Sequence, residues 1–337
     1  MSHSVVIGGA GFIGSWVVDE ILKDPQNTVT VIDNLLSSEI WNLSNDVRVT
    51  FIQGSATDFS TFDKITRPID YLYQLACFHG NQNSITRPIE DLEHGTKTTL
   101  TTLEWIKNNS SKTKIVYSGA GCTIASKTWD KPEPVKEVDV TSLIHDSPYS
   151  ISKITGEMYC LFYAKFHNLN VVRVRFQNVY GPREILGAGD WRGNPSTIWR
   201  NVIPTFIWKS LENVDLEVFG ESTRDFIFVR DIAEGILLAS KHGKQGEAYN
   251  LASGKEVKIH ELAKAIKSLC GSKSKIIISE KRIWDNSGRR VGDTQKSEND
   301  LGFIAKTSLT DGLDETINWT QNNLGRIMKT IHKHANF

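Results

Sequence analysis

The sequence predicts an α/β protein built on a doubly wound parallel sheet, with a second, smaller α/β region following it. Three observations predict this. Short apolar runs alternate with stretches long enough for a helix through the first half of the 337 residues. The runs are nearly continuous in apolar residues rather than alternating, as strands covered on both faces are. The first run also ends in a glycine-rich turn that opens a helical stretch.

Taken in order, SVVI (4–7) is the first strand, and Gly8-Gly9-Ala10-Gly11-Phe12-Ile13-Gly14 is the turn after it. Glycines at 8, 11 and 14 allow a tight turn, a close approach to a pyrophosphate, and packing of helix on strand. The pyrophosphate then sits at a helix N-terminus, where free N–H groups and the helix dipole favour an anion. TVTVI (28–32) is the second strand and Asp33 ends it, about twenty residues after the turn, where an acidic residue accepts bonds from the adenosine ribose. Asp33 repels a 2′-phosphate and no Arg follows closely to offset it, so NAD is expected over NADP. VRVTFI (47–52), IDYLYQLA (69–76), KIVYS (114–118) and VVRVRF (171–176) continue the alternation. Residues 1–178 therefore read as a Rossmann-type NAD-binding domain, with 225–254 returning to it, and 179–337 as mainly a second domain, which the resemblance described below makes the nucleotide-sugar-binding one.

Composition narrows the class. Lys plus Arg and Asp plus Glu are 39 each, which implies no attraction to nucleic acid or an anionic membrane surface. No apolar run approaches the ~20 residues of a membrane span, and the N-terminus enters a strand with no signal-like region. The four cysteines are widely spaced without a CxxC, which suits a reduced cytoplasm and suggests neither disulfides nor a metal site.

Several motifs in order, GGAGFIG (8–14), YSISK (149–153), RFQNVYGPR (175–183), TRDFIFVRDIAEGI (223–236), YNLASG (249–254) and RRVGDTQKSENDLGF (289–303), carry a resemblance. From residue 4 to about 320 the chain resembles an extended short-chain dehydrogenase/reductase of the NAD-dependent nucleotide-sugar epimerase/dehydratase family. SGAGCTIA (118–125) with GDWRGNPSTIWRNVIPTFI (189–207) also resembles sugar epimerases from bacterial O-antigen clusters. The resemblance implies NAD contacts at Gly8, Gly11, Phe12, Ile13, Gly14, Asp33, Asn34, Ser55, Ala56, Leu75, Ala76, Cys77, Ser118, Tyr149, Lys153, Phe176 and Val179. It implies surface-polysaccharide synthesis as the setting. Two departures stand out. The family's Gly-Asp after the third strand is Gly54-Ser55, and its Asn three residues before Gly-Thr is Leu92, before Gly95-Thr96.

The same resemblance makes Tyr149 and Lys153 catalytic. They lie one helical turn apart and share a face. Lys153 is expected to hold the nicotinamide ribose and to favour the ionised phenol, so that Tyr149 works as a base. Ser118 holds the first serine of the family's Ser-Ser-Ser/Thr, and Ala120 stands where the catalytic Ser/Thr is expected. Cys122 takes the place that holds a proton-handling Glu or Cys in related dehydratases and epimerases. Three readings stay open: Cys122 as a proton-transfer thiol, Cys122 as a small buried hydrophobe, and Thr123 as the replacement hydroxyl.

For the substrate, the resemblance points to Ser84, Asn178, Asn201, Phe219, Arg224, Arg289 and Arg290, with one of the last two arginines expected at the surface. His79, and the Trp191, Arg192, Trp199 and Arg200 of a long glycine-rich loop, are further candidates. Apolar residues at helical spacing, Leu100, Leu103 and Ile106 in 90–107 and Met158, Leu161 and Phe162 in 149–167, suggest a homodimer through a four-helix bundle. The expected function is NAD-dependent epimerisation of an NDP-sugar, UDP-linked, through a transient 4-keto sugar. Rival readings are an NDP-sugar dehydrogenase or 4,6-dehydratase, and a catalytically silent NAD-binding regulatory protein.

Overall fold

A computed structural model describes residues 1–78, 80–121, 133–139, 141, 143, 145–185, 201–281 and 289–334. In chain order the elements are β1 (His3–Ile7), α1 (Phe12–Leu22), β2 (Thr28–Asp33), β3 (Val49–Gln53), α2 (Phe59–Phe62), β4 (Tyr71–Gln74), α3 (Asn81–Thr86) and α4 (Pro88–Asp91). A π-helical turn (Leu92–Lys97) leads into α5 (Thr98–Asn109), then β5 (Lys114–Ala120), α6 (Pro148–Phe166), β6 (Val171–Phe176) and β7 (Asn178–Tyr180). The remainder comprises α7 (Val202–Leu211), β8 (Leu216–Phe219), β9 (Thr223–Phe228), α8 (Val229–His242), β10 (Ala248–Leu251) and β11 (Glu256–Lys258). It ends with α9 (Ile259–Leu269), β12 (Ile276–Ser279), α10 (Gln295–Leu301) and α11 (Leu309–His334).

Seven parallel strands form the main sheet in the order β10-β6-β5-β4-β1-β2-β3. The order reverses between β1 and β4, the crevice where ligands bind in doubly wound sheets. β1 is buried at all five positions, its polar His3 and Ser4 included, because helices cover both faces. One apolar core, including Val6, Val17, Val29, Val116, Ile232 and Phe303, fills one side of this sheet. A second, including Val5, Ile32, Leu72, Leu103, Ile106 and Tyr163, fills the other. A smaller unit has β11-β9-β7 and a β12-β8 pair, with its own core around Phe206, Leu216, Phe226 and Leu262.

Two expectations need correction here. IDYLYQLA reads as a strand to Ala76, but β4 ends at Gln74 and the chain then passes under the glycine turn. Helical spacing suggests Leu103 and Ile106 as part of a partner-facing stripe. They are 1% and 0% exposed and belong to the protein's own core, because a 3.6-residue period marks an apolar face without saying what covers it.

α6 begins where its sequence signals. Ser147 is the N-cap, its hydroxyl oxygen accepting from the Ser150 N–H, and Pro148 follows at the first helical position. The 26-residue α11 runs back to the cofactor side. There Trp319 stacks on Trp41 with centroids 6.2 Å apart, Arg326 lies 4.2 Å over the Trp41 ring, and Lys333 pairs with Glu39 at 3.0 Å.

Candidate active site

The glycine turn is fixed by the β1 and β2 ends. Gly8 adopts φ +80°, a conformation glycine enters freely, and its N–H bonds the Ile32 carbonyl at 2.8 Å. A methyl group on Gly8 would lie 2.8 Å from the Ala76 N, and one on Gly14 only 2.1 Å from the Gly8 carbonyl oxygen. Here α1 meets the strand turn at backbone distance. Its N-cap is Gly11, which has no side chain to cap the first-turn N–H groups. A pyrophosphate fits that role.

Asp33 closes the far side. It is 7% exposed; Oδ2 accepts from the Ala10 N–H at 3.0 Å, and Oδ1 accepts from the Leu35 N–H at 2.9 Å and the Ser38 hydroxyl at 2.7 Å. Burial pushes its carboxyl pKa up, and these bonds oppose the rise. Asn34 is exposed and accepts from the Leu36 N–H at 3.0 Å. Ser55 shares a 2.9 Å hydroxyl bond with Thr57, and Ala56 is buried beside it. Leu75, Ala76 and Cys77 are half-buried at the C-terminal end of β4. Phe176 ends β6 and Val179 is buried in β7. A cleft beside Phe12 is lined by Ser38, Glu39, Asn42 and Arg183, none expected from the sequence. The Asn42 side-chain amide donates to the Ala10 carbonyl at 2.9 Å and so buttresses the turn. These residues fit a dinucleotide.

The catalytic candidates gather around a small cavity lined by Ala76, Cys77, Asp91, Gly95, Thr99, Tyr117, Tyr149, Ser152 and Lys153. Lys153 is buried, and Nζ donates to the Ser118 carbonyl at 2.8 Å and lies 3.3 Å from the Ser118 hydroxyl. The same nitrogen is 5.8 Å from the Tyr149 ring centroid and 5.6 Å from that of Tyr117. The two tyrosines differ. Tyr117 is wholly buried, donates to the Lys153 carbonyl at 3.1 Å, and has its pKa pushed well up by burial, so it stays neutral. Tyr149 is half-buried at the start of α6. Ala120 is the last residue of β5 and is buried. Cys122, Thr123, His79, Trp191, Arg192, Trp199 and Arg200 lie outside the described residues.

The substrate candidates are more scattered. Ser84 is wholly buried and its hydroxyl donates to the Asn81 carbonyl at 2.7 Å, which makes it part of the α3 turn rather than an open contact. Asn178 donates to the Asp225 carbonyl at 3.2 Å, and Asn201 to Glu184 at 2.5 Å. Phe219 ends β8 half-buried; Arg224 is buried in β9 and donates to the Thr223 carbonyl at 2.8 Å. Arg289 is the surface member of its pair, bound to Glu256. Arg290 is interior and pairs with Asp146 at 2.9 Å, just ahead of α6. Its guanidinium is thereby tied to the helix that carries Tyr149.

Sequence reading also missed a buried triad. Glu157 on α6 is 1% exposed and takes Arg173 at 2.8 Å and Arg175 at 2.8 and 3.0 Å, both from β6. The signal was available: two arginines two apart on one face of a buried strand require a carboxylate.

The family model for the NAD dependent epimerase/dehydratase family matches residues 4–252. The chain belongs to this family. NAD is the family's cofactor. Among solved structures, the Bordetella bronchiseptica enzyme WbmF in complex with NAD+ and UDP is 45% identical, with 99% of this chain and 97% of that one covered and a TM-score of 0.86. Epimerase Mth375 from Methanothermobacter thermautotrophicus is 30% identical, with 98% and 95% covered and a TM-score of 0.89. A curated relative, the UDP-N-acetyl-alpha-D-glucosaminuronate decarboxylase of Bacillus cytotoxicus, is 29% identical over 329 residues, 94% of this chain and 96% of its own. Family membership makes the chain an enzyme of the nucleotide-sugar epimerase/dehydratase type, and the parallel seven-stranded sheet is the family's Rossmann-like architecture.

Proposed function

We propose that the protein is an NAD-dependent nucleotide-sugar epimerase acting through a transient 4-keto sugar on an NDP-sugar whose nucleotide is UDP. The observation that carries this is the placing of Tyr149 and Lys153 around one cavity at the β4 and β5 ends, beside a glycine cradle built for a dinucleotide. NAD, when bound, supplies a hydride acceptor and donor. Ser118 holds the Lys153 ammonium at the cavity wall, and its charge favours the ionised Tyr149 phenol. Tyr149 takes the proton from the C4 hydroxyl as C4 becomes a ketone and returns it when the hydroxyl re-forms. The first turn of α1 and Asp33 hold the dinucleotide, Asp33 exchanging its Ser38 bond for a ribose hydroxyl. Residues 1–178 with 225–254 carry the cofactor, and 179–337 mainly the sugar nucleotide, with Asn178, Asn201, Phe219, Arg224 and Arg290 as its candidate contacts. WbmF, 45% identical and bound to UDP and NAD+, supports the choice of nucleotide.

The protein acts as a cytoplasmic homodimer in surface-polysaccharide synthesis in this reading. Met158, Phe162 and Phe166 recur every fourth residue on α6 and are 47–65% exposed, with Ile85, Ile89 and Leu92 also exposed on the segment that precedes α5. Such a face is unusual for a surface left in water, and a monomer in sedimentation would remove the dimer. The function is tested by incubating the NAD-loaded protein with a panel of UDP-sugars in deuterated water, read by NMR. An unlabelled C4 epimer is expected. Deuterium at C3 or C5 redirects the reaction to proton exchange, and no conversion of any sugar overturns the proposal.

A further inference from the structure

Leu92 stands where the resemblance leads one to expect an Asn, and it turns out to solvent at 54% exposure. The residue before it turns inward. Asp91 ends α4, is 1% exposed, and lines the same cavity as Tyr149, Lys153 and Cys77. Its Oδ2 accepts the Ser152 hydroxyl at 2.5 Å, whereas Oδ1 is equally buried and has no hydrogen-bond partner. A buried carboxylate with an idle oxygen persists only where a nearby cation compensates it. That cation is Lys153, adjacent in sequence to Ser152; burial raises the Asp91 pKa, and the Ser152 bond and the Lys153 charge lower it.

The backbone is arranged for this contact. The π-helical turn Leu92–Lys97 begins at the next residue, and such wide turns collect at functional sites because they interrupt a better-bonded helix. Gly95 within it lets Ser152 approach: an added methyl would stand 3.0 Å from the Ser152 Cβ. Around Asp91 the titratable groups among the described residues are Lys153 and Tyr149 from α6, Tyr117 from β5, and Cys77 after β4.

We propose that Asp91 is a positioning residue of the reaction centre, tied through Ser152 to the α6 turn that carries Tyr149 and Lys153, with its negative charge set against the Lys153 ammonium. The inference rests on Tyr149 being the base. Lys153 alone would depress the phenol's proton affinity further, and an over-stabilised phenolate is a weaker base. The Asp91 charge offsets part of that pull and keeps the ammonium oriented between Ser118 and the cavity.

The test needs no sugar substrate, so its failure is separate from failure of the epimerase assay. Protein labelled with 13C at tyrosine Cζ is titrated with NAD bound, and Tyr149 is assigned by the signal lost in Tyr149→Phe. Asp91→Asn keeps an acceptor for Ser152 and removes the charge, so the Tyr149 midpoint should fall by about 0.5–1 pH unit. An unmoved or raised midpoint overturns the proposal. A second titration covers the case in which Asp91→Asn does not fold. In 13C-aspartate-labelled protein, Lys153→Met should raise the Asp91 midpoint, and an unmoved midpoint also overturns the proposal.

Discussion

Replacing Gly14 by Ala should cripple cofactor binding while leaving a folded protein. Two effects oppose each other. Alanine is the better helix former by ~1 kcal/mol, which favours the variant because Gly14 lies inside α1. Against it, the new methyl would stand 2.1 Å from the Gly8 carbonyl oxygen, 2.7 Å from the Gly9 Cα and 2.9 Å from the Gly8 carbonyl carbon. All three are backbone atoms, so no side chain can swing aside. Overpacking of this kind costs about 1–3 kcal/mol, and relief requires α1 to lift from the strand turn. That movement withdraws the N–H groups meant for the pyrophosphate by roughly 1 Å, a displacement that can cost on the order of a hundredfold, or ~2.7 kcal/mol. Calorimetric titration with NAD measures the affinity, and urea unfolding measures the stability. Gly325→Ala, inside α11 with nothing within 4 Å of the added methyl, isolates the helix effect and should stabilise by about 0.5–1 kcal/mol. NAD affinity in Gly14→Ala within about threefold of wild type, well under the tenfold that 1.4 kcal/mol represents, would refute the argument from contact distance.

Tyr149→Phe should lose about 10²–10⁴-fold in turnover with NAD affinity unchanged, since only the ionisable oxygen is removed; retention of a large fraction of the activity assigns the base elsewhere. Glu157→Gln should cost about 3–5 kcal/mol in urea unfolding, because Arg173 and Arg175 would stay buried without their counter-charge; a loss near zero would mean water already reaches the pair. NAD should bind more tightly than NADP because Asp33, the acidic residue at the β2 end, repels a 2′-phosphate, and equal calorimetric affinities would contradict that. Should wild type place deuterium at C3 or C5 instead of giving the unlabelled C4 epimer, Cys122→Ser should slow that exchange; exchange at the wild-type rate would rule the thiol out as the proton carrier.

The main sheet was legible because its interior strands are covered on both faces, so their apolar runs carry no ambiguity of facing; edge strand β3 is only partly covered. The glycine turn was legible for a related reason: at Gly8 and Gly14 backbone meets backbone, and few other residues can stand there. Facing was lost where it depends on tertiary context. Leu103 and Met158 share a helical period with their neighbours, yet one is core and the other is surface. Asp91 was missed because the π-helical turn adds a residue to the helical count and shifts which side chain enters the cavity, a phase change no residue type announces. The two β6 arginines announce a buried carboxylate, but that Glu157 supplies it emerges only from the packing of α6 on β6.

These missed residues act on one element. Asp146 receives Arg290 and the Ser150 hydroxyl ahead of and within the first turn of α6, and the Ser147 hydroxyl donates to Asn81 at 3.1 Å. Farther along, Ser152 binds Asp91, Lys153 binds Ser118, the Lys153 carbonyl takes the Tyr117 hydroxyl, and Glu157 holds both β6 arginines. Polar ties thus fix α6 from its cap to Glu157, the half that carries Tyr149 and Lys153. Beyond Glu157 the Tyr163 hydroxyl donates to Glu104, and the exposed residues are mostly apolar, Met158, Leu161, Phe162 and Phe166 beside Lys165. Directional bonds hold a side chain to a fraction of an ångström where non-directional apolar contact does not, and general-base chemistry needs that tolerance. The reacting end of α6 is therefore positioned by hydrogen bonds and charge from β5, β6, α3 and α4, and its far half carries most of its exposed apolar side chains.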